Sequence, residues 1–425
     1  MSFLGKKGIT LCLISLFVLV GAVGAQDGPA NRQIEDSELA GMSWDEIVAA
    51  ADGSEVNWFM WGGSDRINRF VLEFIGGILQ DEYNVTLNQV HSGAADTVQL
   101  VLGEKEAGVD EGGAVDLIWI NGENFRTLKQ GGLAFCGYTD LLPAMANVNP
   151  DDQTILNDFG TPVDGCEVPW GRAQVVIVVN TDFVPEPPAD MDALLEYACE
   201  NPGSLTYPAL PDFTGSVFVR HVFYNEADKI YADEGGHRKL LGPFDEEVYA
   251  PVAEATWATL NELEPCLWRS GETYPAESTV HEQLYANTEV QFFITYGALG
   301  VGGNIDNGIF PPSTDSYVLE SGTIGNVHFT AIPYNASNKA AAMILANTLL
   351  SFRGQLQAAN PDVWGSMSVL DPSLLTDEER AAFDEVPRHP AHATPAELAA
   401  AALPELLATW LVRIEEDWRT NVLEQ

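Results

Sequence analysis

Residues 56–79 read VNWFMWGGSDRINRFVLEFIGGIL and decide the fold class of this 425-residue chain. The run 56–61 is almost entirely apolar, which predicts a buried strand that ends at the glycine pair 62–63. The apolar residues within 66–79 recur at helical spacing, so a helix is predicted there. A strand that passes through a tight turn into a helix is the first unit of an α/β fold.

The same alternation continues after this segment. Strands are predicted at 85–90 and 115–120, and helices at 97–107 and 125–130. A second series of strands and helices begins with the branched, apolar run 173–180. Single cores stop growing near ~250–300 residues, so the length favours two or three lobes. We therefore expect an α/β protein whose lobes each contain a mostly parallel sheet flanked by helices.

The N-terminus reads as a secretory signal. Lys6 and Lys7 precede an apolar run at 9–20, and small residues end at Ala25, so cleavage is expected near Ala25, before Gln26. The apolar run is shorter than the ~20 residues that a spanning helix needs. The sequence therefore predicts an exported, periplasmic protein with a signal peptide at 1–25.

The charge balance excludes one class of partner. The chain has 62 acidic and 20 basic residues and a formal net charge of −42. Such a surface repels nucleic acid and anionic membranes, so we expect no nucleic-acid partner. The acidic residues are spread along the whole chain, which indicates a solvated surface more than a specific site.

Four cysteines follow the predicted signal: Cys136, Cys166, Cys199 and Cys266. An exported protein meets oxidising conditions, and four cysteines permit three disulfide pairings. We favour Cys136–Cys166 with Cys199–Cys266, because each bond would then close a loop within one lobe.

Signatures of catalysis and of cofactors are missing from the sequence. It contains no phosphate-binding loop, no dinucleotide fingerprint and no metal-binding helix motif, so we expect no cofactor and no metal. The nucleophile elbow Gly-x-Ser-x-Gly is also missing. A carboxylate pair of the glycosidase kind stays open, because 62 acids make chance pairs common.

Three strand-to-helix joints carry polar residues and glycine, at 61–65, 119–124 and 212–216. Ligands of open α/β sheets bind outside the carboxyl ends of strands, near helix N-termini. Glycines there can let a ligand approach the backbone closely. Ordinary helix capping is the alternative interpretation of each joint. Trp170 and Tyr296 could add aromatic walls, although core packing would explain each one alone.

Several of these segments together resemble the periplasmic substrate-binding proteins of ABC importers, in particular the YnjB-like family. The resemblance runs over most of the chain after the signal and is carried by WGGS at 61–64, VDLIWINGENF at 115–125, PWG at 169–171, YPALPDFTGS at 207–216 and IPYNASNKAA at 332–341. The four cysteines are not part of it.

The resemblance implies a two-lobed, class II type of binding fold with hinge crossings between the lobes. One lobe would contain 27–170 and 318–353, and the other 171–317 and 354–425 with the C-terminal helices. A small-molecule ligand would shift the protein toward a closed form. An ABC permease at the membrane would then receive the ligand from a protein that acts as a monomer.

The resemblance also places ligand contacts on both sides of an interlobe cleft. On the first lobe we expect Trp61, Gly63, Ser64, Asn121, Glu123 and Asn124, and on the opposite side Trp170, Asp212, Thr214, Gly215, Ser216 and Tyr296. Carboxylates and aromatic walls favour an organic cation or zwitterion, but an oxyanion or a sugar also remains open. The competing functions are a secreted carboxylate-dependent hydrolase and a ligand sensor without transport.

Overall fold

The computed structural model of the protein describes residues 29–424. The predicted signal peptide at 1–25 lies outside the described residues. Within residues 29–424, no helix combines the length and the apolar character needed to cross a membrane.

The strands are β1 (Arg32–Gln33), β2 (Glu55–Met60), β3 (Thr86–His91), β4 (Leu117–Ile120), β5 (Phe135–Cys136), β6 (Asn157–Asp158), β7 (Thr161–Pro162), β8 (Glu167–Gln174), β9 (Val176–Asn180), β10 (Phe292–Thr295), β11 (Thr314–Tyr317), β12 (Thr323–Ala331) and β13 (Ala402–Leu403).

The helices are α1 (Trp44–Ala51), α2 (Asp65–Arg69), α3 (Gly76–Tyr83), α4 (Ala94–Glu106), α5 (Gly122–Gln130), α6 (Gln153–Leu156), α7 (Met191–Glu200), α8 (Phe213–Ile230), α9 (Glu246–Leu263), α10 (Ser278–Ala286), α11 (Val301–Asp306), α12 (Lys339–Leu350), α13 (Phe352–Ala359), α14 (Asp377–Asp384), α15 (Pro395–Ala401) and α16 (Ala408–Trp418).

The first sheet has the strand order β13-β12-β4-β2-β3, and β8 also pairs with β12. Strands β3, β2 and β4 are parallel, as the alternation of strands and helices predicts. Strand β12 runs antiparallel to both β4 and β8. The sheet is therefore mixed, and β2, which pairs in parallel with both β3 and β4, lies in the segment that decides the fold class.

The second sheet differs from the expected parallel arrangement. Its central strand β9 pairs with β10 and β11, and both pairs are antiparallel. Strand β9 leads away from the first sheet, because it follows β8 after the single residue Val175. Strand β11 leads back to the first sheet through β12, so its direction must oppose that of β9. The two-lobed α/β fold class is confirmed, and the second sheet is antiparallel.

Each sheet has its own apolar core. Trp58, Trp170 and Met343 are buried in the first core, and Trp410 and Trp418 are buried in the second. Helix α12 is buried on all sides, as expected of a helix that is apolar all round.

The segment after α12 packs differently from what the predicted division of the chain implies. Ala358, Val369 and Leu370 are buried in the first core, whereas 354–425 was expected in the second lobe. These side chains continue the apolar surface of α12. Further along, the Ala391 carbonyl accepts a hydrogen bond from the Ser316 N–H of β11, and Ala393 and Leu398 pack with strand β9 of the second sheet.

Both favoured disulfides are confirmed. Cys136 bonds to Cys166 and Cys199 bonds to Cys266, at sequence separations of 30 and 67 residues. The first links β5 to the residue before β8. The second links α7 to the turn after α9.

Candidate functional site

A cavity of about 530 Å³ opens between the elements of the two sheets. Its size is within the range of small-molecule sites. Its wall includes eight of the predicted contact residues: Trp61, Ser64, Asn121, Glu123, Asn124, Asp212, Thr214 and Tyr296. Gly63, Trp170, Gly215 and Ser216 are not part of the wall.

The loop after β2 supplies Trp61 and Ser64. The Ser64 hydroxyl caps α2 by accepting a hydrogen bond from the Ile67 N–H at 3.4 Å. The Trp61 side chain remains 39% exposed and lies edge-on to Trp119. A Cβ atom at Gly63 would lie 2.3 Å from the Trp61 ring. The glycine therefore makes room for this tryptophan, where we had expected it to make room for a ligand.

The turn after β4 brings Asn121, Glu123 and Asn124 to the cavity. The Asn121 amide donates to the Val327 carbonyl and so fastens the end of β4 to β12. The Asn124 amide donates to Glu123 Oε1 at 2.6 Å. The other carboxylate oxygen, Glu123 Oε2, is buried without a hydrogen-bond partner among the described residues. A buried carboxylate oxygen without a hydrogen-bond partner is available to accept a hydrogen bond from a ligand.

Burial also sets the protonation of Glu123. Desolvation raises its pKa, and the nearby positive charge of Arg220 opposes that rise only in part. A bound positive group would compensate this carboxylate directly.

The turn before α8 is a capping structure that also touches the cavity. The Asp212 carboxylate accepts hydrogen bonds from the N–H groups of Thr214 at 2.8 Å, Gly215 at 3.1 Å and Ser278 at 2.9 Å. The Asp212 carboxylate therefore occupies the N-terminal end of α8, which an oxyanion would otherwise use. A Cβ at Gly215 would lie 2.0 Å from the Pro208 carbonyl oxygen. Close backbone packing, and no ligand, therefore explains this glycine.

Ser216 and Trp170 lie behind the cavity wall. Ser216 is buried, and its hydroxyl donates to Glu415 Oε1 at 2.6 Å. Trp170 is also buried, with its ring centroid 4.8 Å from those of both Trp119 and Trp364. The tryptophans that face the cavity are thus its neighbours.

Sequence reasoning missed Trp364 and His328, which also line the cavity. Their rings stack at a centroid distance of 5.4 Å. Burial lowers the pKa of His328 to about 4, so this ring is neutral at pH 7. His328 lies on β12 beside the end of β4, but no local pattern distinguishes it from a core residue.

A buried charged network behind Tyr296 was also missed. Glu405, just after β13, pairs with Arg220 of α8, whose side chain has no solvent exposure. The same carboxylate accepts hydrogen bonds from the Tyr296 hydroxyl at 2.9 Å and from the Asn326 amide at 3.1 Å. Tyr296 and Asn326 both line the cavity, so Glu405 holds two wall residues in place from behind.

Arg66 brings a positive charge to the wall. Both of its terminal nitrogens already donate hydrogen bonds, whereas its buried Nε has no hydrogen-bond partner among the described residues. Its guanidinium donates to the carbonyl of Gly300 at 3.1 Å and to that of Trp364 at 3.3 Å. It also donates to Asn304 Oδ1 at 3.1 Å, while the Asn304 amide donates to Glu282 Oε1 at 2.9 Å. Burial raises the pKa of Glu282.

The lining of the cavity is acidic and aromatic. Its carboxylates are Glu123, Asp212 and Glu282, against the single guanidinium of Arg66 in this lining. Within residues 29–424, no three His, Cys, Asp or Glu side chains are grouped so as to hold a metal ion. The arrangement provides hydrogen-bond acceptors and ring faces for a small molecule.

Comparisons with known proteins show the family of the chain. The family model described as "Bacterial extracellular solute-binding protein" matches residues 78–391. The chain is 37% identical to the protein YnjB of Escherichia coli over 376 residues, which cover 88% of this chain and 92% of that protein.

Two solved structures show the same fold. The periplasmic binding protein AfuA of Actinobacillus pleuropneumoniae, with fructose 6-phosphate bound, is 12% identical with a TM-score of 0.59, covering 88% of this chain and 99% of that one. The spermidine/putrescine ABC transporter substrate-binding protein PotD of Streptococcus pneumoniae is 14% identical with a TM-score of 0.57, covering 87% and 99%.

The family implies export from the cytoplasm, a small-molecule ligand and permease partners. The chain belongs to the bacterial extracellular solute-binding protein family and serves as the substrate-binding protein of an ABC transporter.

Proposed function

We propose that the transported solute is a small organic cation or zwitterion held between the lobes. The observation that carries this proposal is the buried, unpartnered Oε2 of Glu123 in a wall whose one guanidinium is already engaged. A positively charged donor supplies both the missing hydrogen bond and the missing charge.

The aromatic lining supports the same class of ligand. Trp61, Trp119, Phe213 and Tyr296 all line the cavity. Ring faces attract cations within about 6 Å of their centroids, and this attraction grows when water is excluded. Flat rings also accept the apolar part of a small amine.

An oxyanion is a weaker candidate. The N–H groups at the start of α8 already donate to Asp212, and the Ile67 N–H at the start of α2 donates to Ser64. The names of the two structural neighbours point in opposite directions, since PotD is named for polyamines and AfuA holds a sugar phosphate. The acidic lining of this chain favours the former class.

Titration calorimetry with Glu123→Gln tests the proposal, using putrescine, spermidine and γ-aminobutyrate as probes. The substitution keeps the shape of the side chain and removes its charge. We expect at least one probe to bind the unmodified protein and to bind the variant about 10- to 100-fold more weakly, because a charged hydrogen bond contributes about 1.5–3 kcal/mol.

Glu254→Gln is the matched control, because Glu254 is exposed on α9. This variant should bind like the unmodified protein. Equal affinity of the Glu123 and Glu254 variants would show that Glu123 makes no contact with the ligand.

We further propose that the protein acts as a monomer, without catalysis, after loss of residues 1–25. The non-enzymatic character of the family and the signal-like N-terminus support this. Mass spectrometry of the exported protein tests the cleavage site, and sedimentation velocity tests the monomer. Turnover of a bound probe, followed by mass, would contradict the absence of catalysis.

A further inference from the structure

The C-terminal helix α16 forms a second contact between the lobes, behind the cavity. Trp410 and Trp418 anchor this helix in the second core. It also packs against α5 of the first lobe. The Ala408 N–H donates to the Phe159 carbonyl at 3.1 Å, and Leu411 completes a small apolar cluster with these two residues.

The packing of α16 on α5 places two carboxylates, one from each proposed lobe, close enough for the negative charge of one to act on the other. Glu123 stands at the N-terminal end of α5, and Glu415 stands on α16. Glu415 Oε1 accepts the Ser216 hydroxyl hydrogen bond at 2.6 Å, and Glu123 Oε2 has no partner among residues 29–424. Burial raises the pKa of Glu415 to about 7, and the negative charge of Glu123 contributes to that rise.

The surrounding positive charge does not balance the negative charges of Glu123 and Glu415. Glu405 adds negative charge near Glu123, and burial together with the charge of Glu123 raises the pKa of Asp158 of β6 well above its usual value. Among the described groups that act on the pair, Arg220 is the one cation, and it is already paired with Glu405.

The other charged residues near Glu415 on α16 do not compensate it. Arg413 pairs with Asp417 and with Glu246 of α9. Glu416 is exposed. The structure therefore places like charges on the two sides of the interface between α5 and α16.

We propose that this structure is the closed form, that closure requires a positive charge at the interface between Glu123 and Glu415, and that a proton supplies it when no ligand is bound. In an open form the two carboxylates separate into solvent and lose a proton at ordinary pH. Closure is then linked to proton uptake.

The direction of the pH effect follows from the raised pKa. The pKa of Glu415 is about 7 in the closed arrangement, against an ordinary value of 4.5. The closed form is favoured most below that ordinary value and loses this advantage as the pH rises toward 7. Between pH 5.5 and 8, the ratio of closed to open molecules should fall on the order of tenfold.

A cationic ligand group would replace the proton at this contact, and this part rests on the proposed ligand class. The proposed link between closure and proton uptake does not need any ligand. Its test therefore remains informative even if the solute proves to be of another class.

Small-angle X-ray scattering of the purified protein without ligand tests the proposal at pH 5.5 and pH 8. We expect the radius of gyration to increase at pH 8. Glu415→Gln keeps the acceptor for Ser216 and removes the charge, so this variant should remain compact at both pH values. Glu416→Gln, one residue along the same helix, should expand like the unmodified protein.

Two results would overturn the proposal. One is a radius of gyration of the unmodified protein that does not change between the two pH values. The other is an expansion of the Glu415 variant equal to that of the Glu416 variant. Circular dichroism at both pH values verifies that each variant is folded.

Discussion

Behind the cavity, Glu405 neutralises Arg220, which is the only guanidinium of that buried network among residues 29–424. Its partner Arg220 has no solvent exposure, and Tyr296 and Asn326 bond to the same carboxylate. Removing one member of a buried ion pair leaves an uncompensated charge and typically costs about 3–5 kcal/mol. We predict a loss of this size in the free energy of unfolding of Glu405→Ala, measured by urea denaturation.

Glu405→Gln is the conservative comparison, because its amide oxygen can still accept hydrogen bonds from Tyr296 and Asn326. It should lose less stability than the alanine variant. An alanine variant that unfolds within about 0.5 kcal/mol of the unmodified protein would mean that Arg220 is not held in this way.

Local patterns could locate some site residues and could not locate others. Glu123 and Asp212 each stand at a helix start beside glycine, and the carboxyl ends of strands predict such a place. Glu405 lies 185 positions from Arg220 along the chain, and nothing near it in sequence indicates that meeting. Trp170 was expected in the cavity wall and lies behind it, because an aromatic ring is equally typical of a core and of a cavity wall.

The crossing strands β8 and β12 decide which elements move together. They pair from Glu167 to Gln174, and the chain enters the second sheet directly after Val175. The Val175 N–H donates to the Ile324 carbonyl at 2.9 Å, so the outgoing and returning chains are joined at the same level. Two adjacent crossings of this kind suit a hinge.

The division of the chain into lobes stays a prediction, which we now propose to revise. The first lobe would consist of 29–174 and 323–383, because Val369, Leu370 and Phe383 pack with the first core. The second lobe would consist of 175–322 and 391–424. In a superposition of open and closed crystal structures, we expect residues 352–383 to move with the first lobe. Movement of this segment with α16 would contradict the revision.

At the scale of secondary-structure elements, the sequence predicted the positions of helices and strands better than the directions in which the strands run. The periodicity at 56–130 indicated β2 to α5 correctly, because each element there has its own apolar pattern. The direction of β10 and β11 depends on how the chain returns to the first lobe. No spacing within a strand carries that information.

The whole molecule is a strongly acidic protein with an acidic cavity. Its formal net charge is −42, and the charges in the cavity lining are three carboxylates and one guanidinium. The overall charge could be counted from the sequence, but a charge count cannot say which carboxylates are buried. In the structure, burial raises the pKa values of Glu123, Glu282, Glu405 and Glu415, among other carboxyl groups.

Thermal melting of the purified protein against a panel of organic cations, zwitterions, oxyanions and neutral sugars tests the central claim most directly. A ligand that binds only the folded protein adds about 2.7 kcal/mol of stability at a hundred times its dissociation constant. We predict a raised melting temperature with members of the cation or zwitterion class and no shift with the others. A shift produced only by oxyanions or neutral sugars would contradict the proposed solute class.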